Sequence, residues 1–242
     1  MSVLFARTIK ALAIALGVEL RRYDVVYSEQ ARLFHVLRHR GIALVLDVGA
    51  SDGEYGCKLR QGGYREALLS FEPLPAAYAK LQSAAARQPP WHVAPRAAVG
   101  SRSGFIDINV AGNSVSSSIL AMRDAHARAE PQSQFVGTER VPIMRLDDFS
   151  HPALERPGPM LLKIDTQGYE MEVLKGAERL LERVDGVQVE LSLAPLYEGQ
   201  PTYQAVLDSL TQRGFQLWGL MPGFVDPHSG RLLQCDGLLF RD

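Results

Sequence analysis

The apolar run Val45-Leu46-Asp47-Val48 ends in the turn Gly49-Ala50-Ser51-Asp52-Gly53, and a second apolar run about twenty residues on ends in Phe71-Glu72-Pro73. This layout constrains the chain to an open α/β sheet. Strands buried on both faces read as continuous apolar stretches, and a carboxylate ending the second strand stands where such folds meet a ribose. The glycine spacing then separates one ligand from another. A dinucleotide turn uses Gly-x-Gly-x-x-Gly so that backbone amides close on a pyrophosphate. Here Gly49 and Gly53 are separated by three residues, with Asp47 just before them. That pattern suits S-adenosylmethionine, which has no phosphate but carries an amino-acid tail and a sulfonium.

The alternation continues along the chain. Ile42–Val48 and Ala67–Phe71 read as strands with a short helix after Gly53 between them. Pro75 opens a helix to about Ala86, as proline does in a first turn. Val93–Val99 reads as a third strand interrupted by Pro95, and Phe105–Val110 as a fourth. Val141–Arg145 is extended, Met160–Ile164 is a buried strand ending in Asp165, and Tyr169–Leu181 is one helix. Val187–Leu191 carries Glu190, Tyr203–Arg213 is a helix closed by Gly214, and Phe215–Leu220 and Gly237–Phe240 are the last strands. No helix joins that last pair, so they run antiparallel. The expectation is a mostly parallel seven-stranded sheet with an antiparallel last strand and helices on both faces.

Two segments lie outside this rhythm. Residues 1–40 read as an N-terminal helical segment, and 41–242 as the main domain, with an insertion at about 111–140 over the active site. In residues 1–22, Leu4, Phe5, Ile9, Leu12, Leu16 and Leu20 recur at helical spacing among Arg7, Lys10, Arg21 and Arg22. Such a helix packs on the domain, on a second subunit of a homodimer, or lies in a membrane interface. Ser28 is placed to cap a second helix, Glu29–His39, which Gly41 ends. His35 and His39, four apart, read as part of its solvated face. The insertion holds the polar cluster Asn113–Ser118 and a helical stretch, Leu120–Ala129.

A formal net charge of −1 over 242 residues argues against nucleic acid as a partner, since phosphate binding needs a basic excess. The two cysteines, Cys57 and Cys235, have neither metal-ligand spacing nor the numbers for a disulfide framework. They read as reduced thiols of a cytoplasmic protein. The apolar run Ala11–Val18 is far short of the roughly 20 residues a membrane span needs. Glu19-Leu20-Arg21-Arg22 offers no small-residue cleavage site, so no signal peptide is expected. Membrane association through residues 1–22 is the alternative to a purely cytoplasmic location.

Taken with Asp47–Gly53 and Glu72, the run Lys163-Ile164-Asp165-Thr166-Gln167-Gly168-Tyr169-Glu170 resembles the FkbM-type methyltransferases. Ala98-Val99-Gly100, Leu146-Asp147-Asp148-Phe149, Glu190 and Leu196-Tyr197-Glu198-Gly199 join that resemblance, which spans about residues 41–240. It implies a class I methyltransferase, Rossmann-like fold and S-adenosylmethionine-dependent O-methylation of a sugar or natural-product hydroxyl. A glycolipid or other hydroxylated small molecule is then the acceptor. The alternatives are a small non-sugar metabolite, a protein side chain, or a cofactor-binding module without catalysis.

The expected cofactor contacts are Asp47, Gly49, Ala50, Ser51, Gly53, Glu72 and Asp165. Gly49 and Gly53 would admit the cofactor's tail and ribose, Asp47 would pair with the tail ammonium, and Glu72 would accept from the ribose hydroxyls. A sugar hydroxyl needs help to ionise. Asp165 and Glu190 end neighbouring strands and are the candidate catalytic pair, either as a base or as ligands of a divalent ion such as Mg²⁺. Asn113, Ser116, Ser117, His126, Gln167, Tyr197 and Glu198 are the candidate acceptor contacts. The serines serve equally as a helix cap near Ile119.

Overall fold

The computed structural model describes residues 3–241, with side chains from Arg7 onward. The chain forms two compact units, Met1–Arg40 and Gly41–Asp242.

The first unit holds α1 (Val3–Ala15) and α2 (Glu29–His39). The helix expected over residues 1–22 is shorter than its pattern. Gly17 takes φ 73°, and the Val18 amide reaches back to the Ala13 carbonyl at 2.8 Å, which closes the helix. Residues 16–23 continue without helix, so Leu20 is not on that face. Leu4 and Phe5 fall outside the described side chains. Asp24 Oδ1 then accepts from the amides of Val26 and Tyr27, both at 3.0 Å, and forms a side-chain turn. Ser28 Oγ caps α2 by accepting from Ala31 N at 3.2 Å.

In the second unit the sequence of elements runs β1 (Leu44–Val48), α3 (Glu54–Gln61), β2 (Ala67–Phe71), α4 (Pro75–Ala86), β3 (Trp91–Val93), β4 (Ala98–Val99) and β5 (Gly104–Ala111). It continues with α5 (Asp124–Ala129), β6 (Phe135–Met144), β7 (Met160–Ile164), α6 (Glu170–Lys175), α7 (Glu178–Leu181), β8 (Gly186–Ser192), α8 (Tyr203–Thr211), β9 (Gln216–Pro222) and β10 (Gln234–Phe240). Seven strands form the main sheet in the order β3-β2-β1-β7-β8-β10-β9. All run parallel except β10, which is antiparallel to both β8 and β9. This is the sheet that the resemblance implies. The order reverses beside β1, so a crevice opens at the carboxyl ends of β1 and β7.

Successive strand residues point to opposite faces. Leu44, Leu46, Val48, Leu162 and Ile164 share a core with Val173 and Leu174 of α6, Leu181 of α7, and Val206 and Leu210 of α8. Val45, Leu68 and Leu161 point the other way and are equally buried, which is why these strands carry no polar alternation.

Three elements differ from the sequence expectation. The strand expected over Val93–Val99 is two strands, because Pro95 cannot donate to a ladder. Its second half, β4, leaves the main sheet and joins β5 and β6 in a three-stranded sheet of order β4-β6-β5. The extended piece expected from Val141 begins earlier, at Phe135, and pairs antiparallel with β5. The helix expected over Tyr169–Leu181 breaks at Gly176, where a Cβ would lie 1.9 Å from the Gly100 carbonyl oxygen. Asp147 then accepts from the amides of Arg179 at 3.2 Å and Leu180 at 3.0 Å, capping α7 from another segment. Asp147, Gly100 and Gly176 therefore belong to one packing joint.

Candidate active site

A cavity of about 510 Å³ opens at the carboxyl ends of β1, β2 and β7. Gly49, Ala50, Ser51, Glu72, Asp165 and Gln167 line it from the sheet side. Asn113, Ser116, Ser117 and His126 line it from residues 113–130. Gly53, Asp47, Glu190, Tyr197 and Glu198 are not among the lining residues.

Two buried carboxylates shape the walls, each holding one strained loop. Ser51 has φ 49°, uncommon for a residue with a side chain. Its amide donates to Glu72 Oε2 at 2.8 Å, and the Leu74 amide donates to Glu72 Oε1 at 2.8 Å. Gln167 has φ 53° and precedes Gly168 at φ 97°. Glu170 Oε1 accepts there from Thr166 N and Gly168 N, both at 3.0 Å, and from Thr166 Oγ1 at 3.2 Å. Burial pushes both carboxyls up to about 7, against the pull of those backbone amides.

The glycines answer to packing. A Cβ on Gly49 would sit 1.8 Å from the Asp165 carbonyl oxygen, so the glycine lets β1 and β7 close together at the crevice. Gly53, at φ 92°, caps α3 without a side chain, and a Cβ there would press on Leu81 and Trp91 at 3.1 Å.

Lys163 is the central group that the sequence reasoning passed over. It is buried in β7, with Nζ 3.1 Å from Asp47 Oδ1 and 3.5 Å from Asp165 Oδ2. It also donates to the Gly49 carbonyl at 3.2 Å and lies 5.2 Å from the Tyr55 ring centre. Burial opposes its charge, but Asp47 and Asp165 outweigh burial and hold its pKa above the ordinary value. Asp47, 1% exposed, is thus paired inside the protein, and Ser70 Oγ donates to its Oδ2 at 3.3 Å. It faces Lys163 rather than the cavity.

One side chain joins the expected catalytic pair. Gln167 Nε2 donates to Asp165 Oδ1 at 2.9 Å and to both oxygens of Glu190 at 3.1 Å. Tyr197 OH donates to Gln167 Oε1 at 2.9 Å and lies 3.1 Å from the Ser116 carbonyl. Ser118 Oγ donates to the Gln167 carbonyl at 2.6 Å. An amide therefore stands between the two carboxylates where a divalent ion was the alternative. Among the described residues no three His, Cys, Asp or Glu are grouped as metal ligands. Burial, and then repulsion from Asp165, Glu170 and Asp236, push Glu190 well above the usual carboxylate range. Asp236, also in the cavity wall, pairs in register with Glu190 and accepts from Gln188 Nε2 at 2.8 Å.

The remaining acceptor candidates divide. Asn113 Oδ1 accepts from Ser116 N at 3.1 Å, and Asn113 Nδ2 donates to Ser116 Oγ at 2.9 Å. Ser117 Oγ accepts from Ala111 N at 3.0 Å and donates to the Ser114 carbonyl at 2.7 Å. These polar groups build their own loop, and no helix starts near Ile119; α5 begins at Asp124. His126 is 2% exposed, packed edge-on against Tyr197 at 5.2 Å and beside Phe224 at 5.2 Å. Its Nδ1 is buried without a hydrogen-bond partner. Burial pulls its pKa down to about 4, so the ring is neutral. Tyr197 is buried behind Gln167, whereas Glu198 is exposed. In the first unit, His35 and His39 stack at 6.0 Å on the exposed face of α2.

The chain is 29% identical over 191 residues to the 2-O-methyltransferase NoeI of Sinorhizobium fredii, covering 76% of each chain. Among solved structures, a TehB-like SAM-dependent methyltransferase from Corynebacterium glutamicum aligns over 98% of this chain and 96% of its own, at 14% identity and a TM-score of 0.41. An rRNA methylase from Streptococcus thermophilus aligns over 90% and 99%, at 11% identity and a TM-score of 0.47. The methyltransferase FkbM domain family matches residues 47–217, and the chain belongs to that family.

Proposed function

We propose that this methyltransferase uses S-adenosylmethionine to methylate a sugar hydroxyl carried on a glycolipid or glycosylated natural product. The observation that carries the choice of donor is the charge of the cavity. Six carboxylates and two lysines line it, and both lysines are already engaged, Lys58 by Glu54 at 2.8 Å and Lys163 by Asp47 and Asp165. Such a wall favours a cationic ligand and repels a pyrophosphate. Its volume is in the range of small-ligand sites. When bound, the cofactor supplies an electrophilic methyl group on a sulfonium.

The protein's own part is binding, aim and one proton. Glu72 has spent one lone pair of each oxygen on Ser51 and Leu74, which leaves acceptor capacity for two ribose hydroxyls. The N-terminus of α3 has no side-chain cap, so its amides are available to a tail carboxylate. Asp165 lines the cavity and takes the acceptor's hydroxyl proton as the oxygen attacks. Glu190, held towards its protonated form, is a poor base. It acts through Gln167, fixing the amide that holds Asp165 Oδ1. His126 presents a neutral ring to the acceptor, and residues 113–130 exclude water.

The relative NoeI, named a 2-O-methyltransferase, supports oxygen as the methylated atom. The test is transfer of labelled methyl from S-adenosylmethionine onto crude glycan and lipid extracts, followed by mass spectrometry of the labelled product. Label on a sugar oxygen is expected. Label on an amine, or none with any extract, contradicts the proposal.

A further inference from the structure

The first unit carries a run of apolar side chains in solvent. Ile9, Leu12 and Leu16, which share one face at helical spacing, are 36%, 61% and 81% exposed, and Val18, Leu20, Val26 and Tyr27 are exposed after them. Single exposed apolar residues are ordinary, but a contiguous set marks a surface that binds something. The same segment is basic. Residues 1–40 hold seven Arg and Lys against three acids, while the whole chain is −1, so the rest of the chain is net acidic. Within α1 the charges are Arg7 and Lys10, both exposed, with no acid among them. Arg21 and Arg22 pair locally with Glu19 at 2.9 Å and Asp24 at 3.1 Å.

We propose that residues 7–27 dock on an anionic lipid surface. The apolar side chains enter the boundary between headgroups and acyl chains, and Arg7 and Lys10 meet the phosphates. Charge decides between the two occupants that would cover such a face. A second copy brings the same basic segment against itself, and the like charges repel. An anionic bilayer supplies both the apolar layer and the opposite charge. The helix lies on the bilayer and does not cross it: thirteen residues span about 20 Å against a hydrocarbon core of about 30 Å. Among the described residues no helix is long and apolar enough to cross a membrane.

The full chain is tested by co-sedimentation with vesicles of phosphatidylcholine alone and of phosphatidylcholine with phosphatidylglycerol, at low and high salt. The readout needs no methyl transfer, so it stands or falls apart from the proposed reaction. Binding is expected only to the anionic vesicles and is weaker at high salt. Leu12→Glu combined with Leu16→Glu weakens it by roughly tenfold or more. Arg7→Glu combined with Lys10→Glu does the same while keeping the apolar side chains. Unchanged circular dichroism and thermal midpoint establish that both variants are folded. Equal binding to both vesicles, or to neither, overturns the proposal. So does a dimer, detected by sedimentation, that the leucine substitutions dissolve without any vesicle binding by the parent chain.

Discussion

Lys163 Nζ lies 3.1 Å from Oδ1 of Asp47, with both side chains buried beneath the glycine turn. The pair sits where β1 and β7 meet, so it ties the turn to the strand that carries Asp165. Breaking such a pair from one side leaves a buried charge without compensation. Lys163→Met is expected to cost about 3–5 kcal/mol in urea denaturation. Adding Asp47→Asn to Lys163→Met returns much of that loss. Equal stability of the single and double variants would show that the pair does not hold the site.

The division of labour between Asp165 and Glu190 gives a kinetic prediction. Asp165→Asn should lower kcat by about 10²–10⁴, the usual range for a lost general base, with cofactor affinity nearly unchanged. Glu190→Gln keeps a hydrogen-bond acceptor for Gln167 and should cost much less. Comparable losses in the two variants would refute the assignment of Asp165 as the base, and full activity in both would remove the pair from the chemistry.

Glu72 and Glu170 make stability depend on pH. Their folded-state values of about 7 lie above the ordinary 4.5, so between these limits the folded protein holds protons that the unfolded chain releases. Stability is therefore full below about pH 4.5 for these groups and falls as pH rises towards 7, by on the order of 3 kcal/mol per group. Glu170→Gln keeps the Oε1 acceptor for Thr166 and Gly168 and removes the titration. Its thermal midpoint should fall less steeply between pH 5 and 8 than that of the parent. Parallel curves would contradict the burial of this carboxyl.

His126 is neutral throughout the working range, since burial holds its pKa near 4. His126→Phe keeps the contacts with Tyr197 and Phe224 and removes Nδ1. The expected result is a several-fold rise in the acceptor's KM, with no change in the pH profile between 6 and 8. A lost kinetic limb near pH 6.5 would mean that the ring titrates and acts as an acid or base.

The legible features were those set by local pattern. Glu72 and Asp165 end apolar runs, and strand ends of a parallel sheet are where ligands sit, so their place followed from the alternation. Lys163 was passed over, although a charge inside a strand buried on both faces and beside Asp165 was there to be read. Such a lysine must find a carboxylate, and Asp47 is its register partner on β1. The three-stranded sheet was not visible, because it pairs segments as distant as Ala98 and Ile143, and periodicity carries no long-range register. Gly176 broke a helix whose apolar spacing ran straight through it, since the cause is the Gly100 carbonyl of a distant strand end. Asn113–Ser118 looked like a sugar-binding surface, yet most of its polar atoms serve the loop itself. Composition cannot separate those two uses.

The central claim is that the cavity takes a sulfonium donor rather than a pyrophosphate. Calorimetric titration of the full chain with S-adenosylhomocysteine and, separately, with NAD tests it most directly. The expected result is micromolar binding of S-adenosylhomocysteine, a common small-ligand range, and no heat with NAD. Binding of NAD with none of S-adenosylhomocysteine would contradict it.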